Sequence, residues 1–368
     1  MSSRTNGDYD RSVTVVGVAL LTLVPGELGG SETYVRELLR ALGEVGELDY
    51  RVLLPPAAAE LETGGLPSQV ATEYRRARTP SQRLLAMGAA AARPGPLRAR
   101  LQQAAVVHYP LTLRLPPVDA PTAVTLHDVQ HLDLPHLFGR AERAFRALAW
   151  HRSVRAAECV IVPSGFVRDR AVAKLGLDSN RVRVIHSGVD HARFRPGPAA
   201  REPFLLYPAR RWPHKNHERL FAAFALLRAE QPDLRLVLTG DRGGTATPDG
   251  VESLGLVSAE ALVDLYQRAS ALVFPSLYEG FGQPPLEAMA CGCPVACSNA
   301  GALPEVVGGA ARLFDPHDPE AIADAVREVL GAPGDWRARG LERAASFSWE
   351  ATARGHESVY RSLASTRS

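Results

Sequence analysis

Two glutamates, Glu279 and Glu287, stand with seven residues between them inside the segment 275–305. A carboxylate accepts hydrogen bonds from vicinal hydroxyls, which suits recognition of a sugar or a ribose. Gly280 and Gly282 follow the first glutamate and let the backbone approach a ligand closely with its N–H groups turned inward. Pro284 and Pro285 then open a helix whose positive N-terminal end suits a diphosphate. Taken singly, the two are better explained as a loop glutamate bonded to solvent and a first-turn glutamate favoured by the helix dipole. The whole segment is not.

Other chemistry-bearing residues fall at comparable places. Arg210, Arg211 and Lys215 follow an apolar run, and Lys215 is one of only two lysines in the chain, the other being Lys174. Arginine offers a planar fork and lysine a compact point charge, although an exposed solubilising role fits each of them. Gly29 and Gly30 lie between an apolar run and a helix start, a place for phosphate or an acceptor to approach; a plain tight turn is the alternative. The spacing from Gly26 to Gly30 is not that of a dinucleotide fingerprint, which argues against a dehydrogenase. His127 closes another apolar run beside Asp128, where a lone histidine is more often a hydrogen-bonded structural residue. Asp8, Tyr9 and Asp10 mimic a metal-binding Asp-x-Asp but precede the first strand, so no metal is implied. Cys291, Cys293 and Cys297 fit no common zinc spacing, and with Cys159 they are expected to be buried free thiols.

These residues need a scaffold. At 368 residues, two domains are expected. Hydrophobic residues at 46% and charged residues at 22% fit a soluble globular class. The apolar run 13–25 is too short to span a bilayer and reads as a buried strand rather than a signal peptide. Strands are expected at 13–21, 51–54, 105–108, 123–126 and 159–162, with helices at 31–42, capped by Ser31, at 140–157 and after Ser164. A Pro/Gly-rich stretch at 191–203 reads as a linker. Beyond it come strands at 204–207, 234–239, 271–274 and 294–297, and helices at 216–229, 259–269, 285–291 and 319–330. This alternation predicts an α/β fold of two doubly wound parallel sheets with ligands in a crevice at the carboxyl ends of their strands. The expected divisions are a tail at 1–12, domains at 13–195 and 203–346, and a terminal segment at 347–368. Net charge is +2, with 25 Arg/Lys against 19 Asp/Glu up to residue 195 and 17 against 21 beyond. That excess is too scattered for nucleic acid.

The segment with Glu279, Gly280, Phe281, Gly282, Pro285, Glu287, Ala288, Met289, Ala290, Gly292, Pro294, Val295, Gly301, Pro304 and Glu305 resembles the Glu-x7-Glu signature of retaining family-4 glycosyltransferases. The resemblance runs from about Val13 to Tyr360. It implies the GT-B fold: two Rossmann-like domains, an interdomain cleft, and a C-terminal helix returning to the first domain after Phe347, Ser348 and Trp349. It also implies that Glu279 contacts the donor sugar, Glu287 holds the nucleotide ribose, and backbone N–H groups near Phe281 and Gly282 assist. Arg210 and Lys215 match the family's diphosphate-binding pair, with Ala209 in place of the usual glycine. His127 matches a His-Asp element facing the reacting sugar. Val257 lies in a loop, 255–258, similar to one whose backbone contacts the base, and Ser164 is structural. Gly29 and Gly30 form the phosphate or acceptor loop. Residues 125–134 and Gln283 are most similar to bacterial mannosyltransferases of polysaccharide and O-antigen assembly.

The resemblance therefore implies a retaining, metal-independent and cofactor-free transfer of a hexose. Mannose from GDP-mannose is the first choice of donor, and a glycan or lipid-linked molecule is the acceptor. A UDP-glucose or other UDP-sugar enzyme of the same fold, and a non-catalytic sugar-nucleotide binder, remain as alternatives. A pyridoxal-phosphate phosphorylase needs a Schiff-base lysine that neither lysine is placed to supply. The chain is expected in the cytoplasm. Arg140, Arg143, Arg146, Arg152 and Arg155 interleave with Phe145, Leu148 and Trp150, an ordinary solvated face or, alternatively, a surface for the inner face of the cell membrane.

Overall fold

The structure, a computed structural model, describes residues 14–74, 80–197, 200–240 and 247–366. The expected tail at 1–12, with its Asp-Tyr-Asp, lies outside the described residues, as do positions 198 and 199 of the linker. The first sheet has seven strands: β1 (Val15–Ala19), β2 (Asp49–Leu54), β3 (Ser68–Val70), β4 (Val106–Tyr109), β5 (Thr122–Thr125), β6 (Cys159–Val162) and β7 (Val182–Val184). Their order is β3-β2-β1-β4-β5-β6-β7. The second has six: β8 (Glu202–Pro208), β9 (Arg235–Thr239), β10 (Val251–Ser253), β11 (Ala269–Phe274), β12 (Val295–Ser298) and β13 (Arg312–Phe314), ordered β10-β9-β8-β11-β12-β13. Both orders reverse direction once, beside β1 and beside β8, as doubly wound folds do. Leu206 of β8 faces Val237 of β9 on one side and Leu272 of β11 on the other, all in parallel register. The inner strands β4, β5, β6 and β12 are buried along their whole length, as strands covered on both faces are.

The helices are α1 (Gly30–Val45), α2 (Pro80–Ala92), α3 (Gly95–Leu101), α4 (Gln130–Asp133), α5 (Arg140–Phe145), α6 (His151–Ala156) and α7 (Gly165–Leu175). After β8 follow α8 (His217–Glu230), α9 (Ala259–Arg268), α10 (Gln283–Ala290), α11 (Leu303–Val307), α12 (Pro319–Gly331), α13 (Pro333–Ala345) and α14 (Trp349–Ser365). Helix α1 buries Val35, Leu38, Leu39 and Leu42, a stripe at helical spacing. Its cap is not Ser31, however. Gly29 holds that place at φ 57°, in the left-handed region a serine enters only with strain, so Ser31 sits inside the first turn. The helix expected at 140–157 is interrupted by a π-helical turn, Arg146–Trp150, between α5 and α6.

The chain falls into two compact units. The first comprises Met1–Thr125, Ala156–Cys159 and Ala353–Ser368; the second comprises Leu126–Arg155 and Val160–Thr352. This grouping differs from a boundary at the 191–203 linker, because the segment after β5, and the chain from Val160 in β6 through β7, group with the second unit. Ser164 bonds Gly280, and the Val189 N–H bonds the Phe347 carbonyl at 3.3 Å.

In the first unit the last helix returns to the sheet, as the fold requires. Tyr360 OH meets His108 Nδ1 at 2.8 Å, His108 Nε2 meets Thr125 Oγ1 at 2.8 Å, and Tyr34 OH meets His356 Nε2 at 2.8 Å. Glu357 accepts from Tyr50 OH at 2.5 Å and from the N–H groups of Glu47 and Leu48. His108, His356 and Tyr360 are fully buried, so these bonds answer polar groups that water cannot reach.

Candidate active site

In the second unit the loops leaving β8 and β11 emerge from neighbouring strands at the sheet's reversal point, where doubly wound folds bind ligands. The structure brings together residues that lie far apart in sequence. Lys215 Nζ donates to Glu279 Oε1 at 2.6 Å, and each side chain is 14% exposed. Arg210 stacks on Trp212, 5.5 Å from its ring centre, while Arg211 turns toward Phe221 of α8 at 5.7 Å. Of the two arginines, Arg210 is therefore the one at the loop with Trp212, and Arg211 backs onto a helix. Asn216 caps this loop in the left-handed conformation at φ 62°, its amide reaching the carbonyls of Pro275 and Pro316.

Glu287 lies in the second turn of α10, buried, and accepts from Tyr266 OH at 3.1 Å. Burial, and then the glutamate itself, hold the Tyr266 phenol well above its usual range, so it stays a donor. The helix starts as the sequence predicts, with prolines in its first turn and Gly282 at φ 116° before it. Phe281 buries its ring against His186 and Phe347, leaving only its backbone for a ligand. At Gly280 a Cβ would stand 2.2 Å from the His127 carbonyl oxygen, so its smallness also lets two loops meet. His127 is half-buried at the end of β5, and Asp128 caps its own turn by accepting the Gln130 N–H at 2.9 Å.

Val257 is half-buried just before α9, and Ser258 caps that helix. The Gly240 N–H donates to the Gly255 carbonyl at 2.8 Å, tying this loop to the end of β9. Gly29 and Gly30 stand in the first unit, at the start of α1. Glu32, almost wholly buried in that first turn, accepts the Gly26 N–H at 2.7 Å and holds Arg36 at 2.8 Å, so this helix start carries a carboxylate of its own.

Two histidines were missed by sequence reasoning. His214, beside Lys215, is held near pKa 4 by burial and then by the lysine's charge, and is therefore neutral. His131 Nε2 lies 2.9 Å from His151 Nε2, and burial followed by Arg146 brings His131 to about 4 as well. Nothing in their spacing sets them apart; only the fold buries His131 and half-buries His214. The basic face on 140–155 is partly engaged: Arg146 lies over Phe138 and Trp150 and pairs with Glu142, while Leu148 is 71% exposed. All four cysteines are buried free thiols, and burial pushes Cys293 up to about 11. Among the described residues, no cluster of His, Cys, Asp or Glu is arranged to hold a metal, and no helix is long and apolar enough to cross a membrane.

Two Rossmann-like sheets of this order, with charged loops at the second reversal point and a last helix returning to the first sheet, define the GT-B class of fold. Residues 28–193 match the family described as Glycosyltransferase Family 4, and residues 189–346 match Glycosyl transferases group 1. The chain belongs to the family-4 glycosyltransferases. It is 33% identical over 253 residues to O-antigen chain mannosyltransferase B of Escherichia coli, covering 61% of this chain and 66% of that protein. It is 32% identical over 272 residues to D-inositol 3-phosphate glycosyltransferase of Rhodococcus jostii, covering 65% and 60%. The matches thus span less than two thirds of these relatives' length. Sucrose-phosphate synthase from Thermosynechococcus elongatus superposes with a TM-score of 0.80 at 23% identity, over 96% of this chain and 100% of that one. Anabaena HepE, solved with UDP and glucose, gives 0.71 at 17%, over 95% and 100%. At these identities the likeness is one of fold.

Proposed function

We propose that this protein is a retaining hexosyltransferase that takes a sugar from a nucleotide diphosphate donor held at the β8 and β11 loops. The observation that carries the reading is the Lys215–Glu279 pair, which sets a cation for phosphate and a carboxylate for hydroxyls side by side. Donor binding exchanges this contact for two: Lys215 and Arg210 turn to the diphosphate, and Glu279 turns to the sugar. Glu287, oriented by Tyr266, takes the ribose, and the backbone at Val257 takes the base. N–H groups near Phe281 and Gly282 assist the sugar and phosphate. His127 stands by the reacting sugar. The loop at Gly29 and Gly30, with the Glu32 carboxylate close by on the Gly26 N–H, is the phosphate or acceptor loop.

The proposed reaction is a front-face displacement. The bond from the anomeric carbon to the diphosphate oxygen breaks, the acceptor oxygen bonds to the same face, and the departing diphosphate takes the acceptor's proton. Arg210, Lys215 and the start of α10 stabilise the charge that develops on the leaving group. No resident metal or cofactor is required. GDP-mannose is the preferred donor, supported by the likeness to the mannosyltransferase of O-antigen assembly. A glycan or lipid-linked acceptor in the cytoplasm, near the inner face of the membrane, completes the reading. A UDP-sugar is the second reading, favoured by the fold shared with a protein solved with UDP and glucose.

The test is incubation with GDP-mannose or UDP-glucose and a lipid-linked glycan extract, following nucleoside diphosphate release and the anomeric signal of the product by proton NMR. Retention of the donor's anomeric configuration is expected. An inverted product refutes the mechanism, and no product from any nucleotide sugar refutes the activity.

A further inference from the structure

Helix α7 begins at Gly165 and is capped by Ser164, whose hydroxyl accepts the Val167 N–H at 3.2 Å and donates to the Gly280 carbonyl at 2.7 Å. The first two N–H groups of the helix, Gly165 and Phe166, donate to the Glu305 carboxylate at 2.8 and 3.0 Å. A helix N-terminus attracts anions. Here it is filled by a carboxylate from 140 residues further along the same unit, with His186 Nε2 a further 3.1 Å contact on Oε1.

Glu305 sits in α11, whose cap residue Ala302 follows Gly301. At Gly301, φ 65°, a Cβ would stand 2.7 Å from both the N and the O of Glu279, and the next N–H, of Ala302, donates to the Glu279 carbonyl at 3.0 Å. One helix terminus therefore grips the β11 loop twice: at Gly280 through Ser164, and at Glu279 through Glu305, α11 and the Gly301 turn. Glu287 and Tyr266, on α10 and α9, belong to neither grip.

We propose that Glu305, with Ser164, is a positioning residue that fixes the reach of the Glu279 carboxylate toward the donor's sugar, and so serves sugar recognition rather than nucleotide recognition. This rests on Glu279 being the sugar contact. Glutamine at 305 keeps the side chain's size but has one acceptor oxygen for two N–H donors, so the second grip loosens while the first remains. The affinity gained by a nucleotide sugar over its bare nucleotide falls with it, and the nucleotide's own affinity does not.

The experiment is a calorimetric titration of GDP and of GDP-mannose, or UDP and UDP-glucose where those bind, into the wild type, Glu305→Gln and Ser164→Ala. Backbone amide exchange is followed by mass spectrometry on the same proteins. The expected result is a nucleotide affinity within twofold of wild type, a five- to twentyfold loss confined to the sugar-dependent increment, and faster exchange in the peptide over 276–283 with β8 and α8 unchanged. An intact increment in both variants overturns the proposal, as does unchanged exchange at 276–283 or an equal loss for nucleotide and nucleotide sugar. If the wild type itself binds no nucleotide sugar, it is the donor reading that fails.

Discussion

At the scale of single residues, the contact between Lys215 and Glu279 is the most consequential. Both charges are largely withdrawn from water, so each depends on the other until a ligand arrives. Removing one partner leaves the second uncompensated. Lys215→Ala and Glu279→Ala are each expected to cost about 2 kcal/mol of folding free energy, and the double variant less than their sum by at least about 1 kcal/mol. Urea denaturation of the four proteins measures this. A strictly additive cycle shows that the pair is not coupled. The residue types were legible in the sequence, since one of only two lysines among many arginines and a Glu-x7-Glu pattern stand out. That the two would meet was not, because 64 residues separate them and only the pairing of β8 with β11 closes that distance.

At the scale of elements, what could be read was what periodicity exposes. The buried strands β4, β5, β6, β9 and β11, and the amphipathic α1 and α12, were placed within a few residues. Segment 56–101 was not, because β3 has only three residues and α2 leaves Leu84 and Leu85 exposed rather than lining a clean face. The π turn at Arg146–Trp150 leaves no mark in a 3.6-residue pattern. The role of Glu305 was equally invisible, since its partners are backbone N–H groups of a helix that any sequence would supply. The last helix is held to the first sheet by polar contacts that can be tested. Tyr360→Phe removes the hydroxyl that His108 Nδ1 meets in a wholly buried place and is expected to cost about 1–3 kcal/mol. Thermal unfolding reads the loss. Donor affinity should remain unchanged, and a variant as stable as wild type speaks against the network.

At the scale of the whole molecule, buried His131 and half-buried His214 couple stability to pH. His131 and His214 are held near pKa 4, chiefly by burial, against an ordinary value near 6.5. Folding keeps them neutral where the unfolded chain binds protons. Their contribution is therefore fully present above about pH 6.5 and is lost as pH falls through about 4. Urea midpoints at pH 7.5, 5.5 and 4.5 should decline for wild type and decline less for His131→Asn/His214→Asn; parallel declines count against the assignment. The two parallel sheets follow from the alternation of buried runs and helices; the returning helix is what the family resemblance implies, and the strand order comes from the structure alone. The site's central claim is that Glu287 and its neighbours hold a nucleotide-sugar donor. Calorimetric titration of GDP-mannose and UDP-glucose into wild type and Glu287→Ala tests it most directly. Saturable binding of one of them by wild type and at least tenfold weaker binding by Glu287→Ala are expected, with circular dichroism unchanged; equal binding by both proteins, or none by either, contradicts a donor site at Glu287.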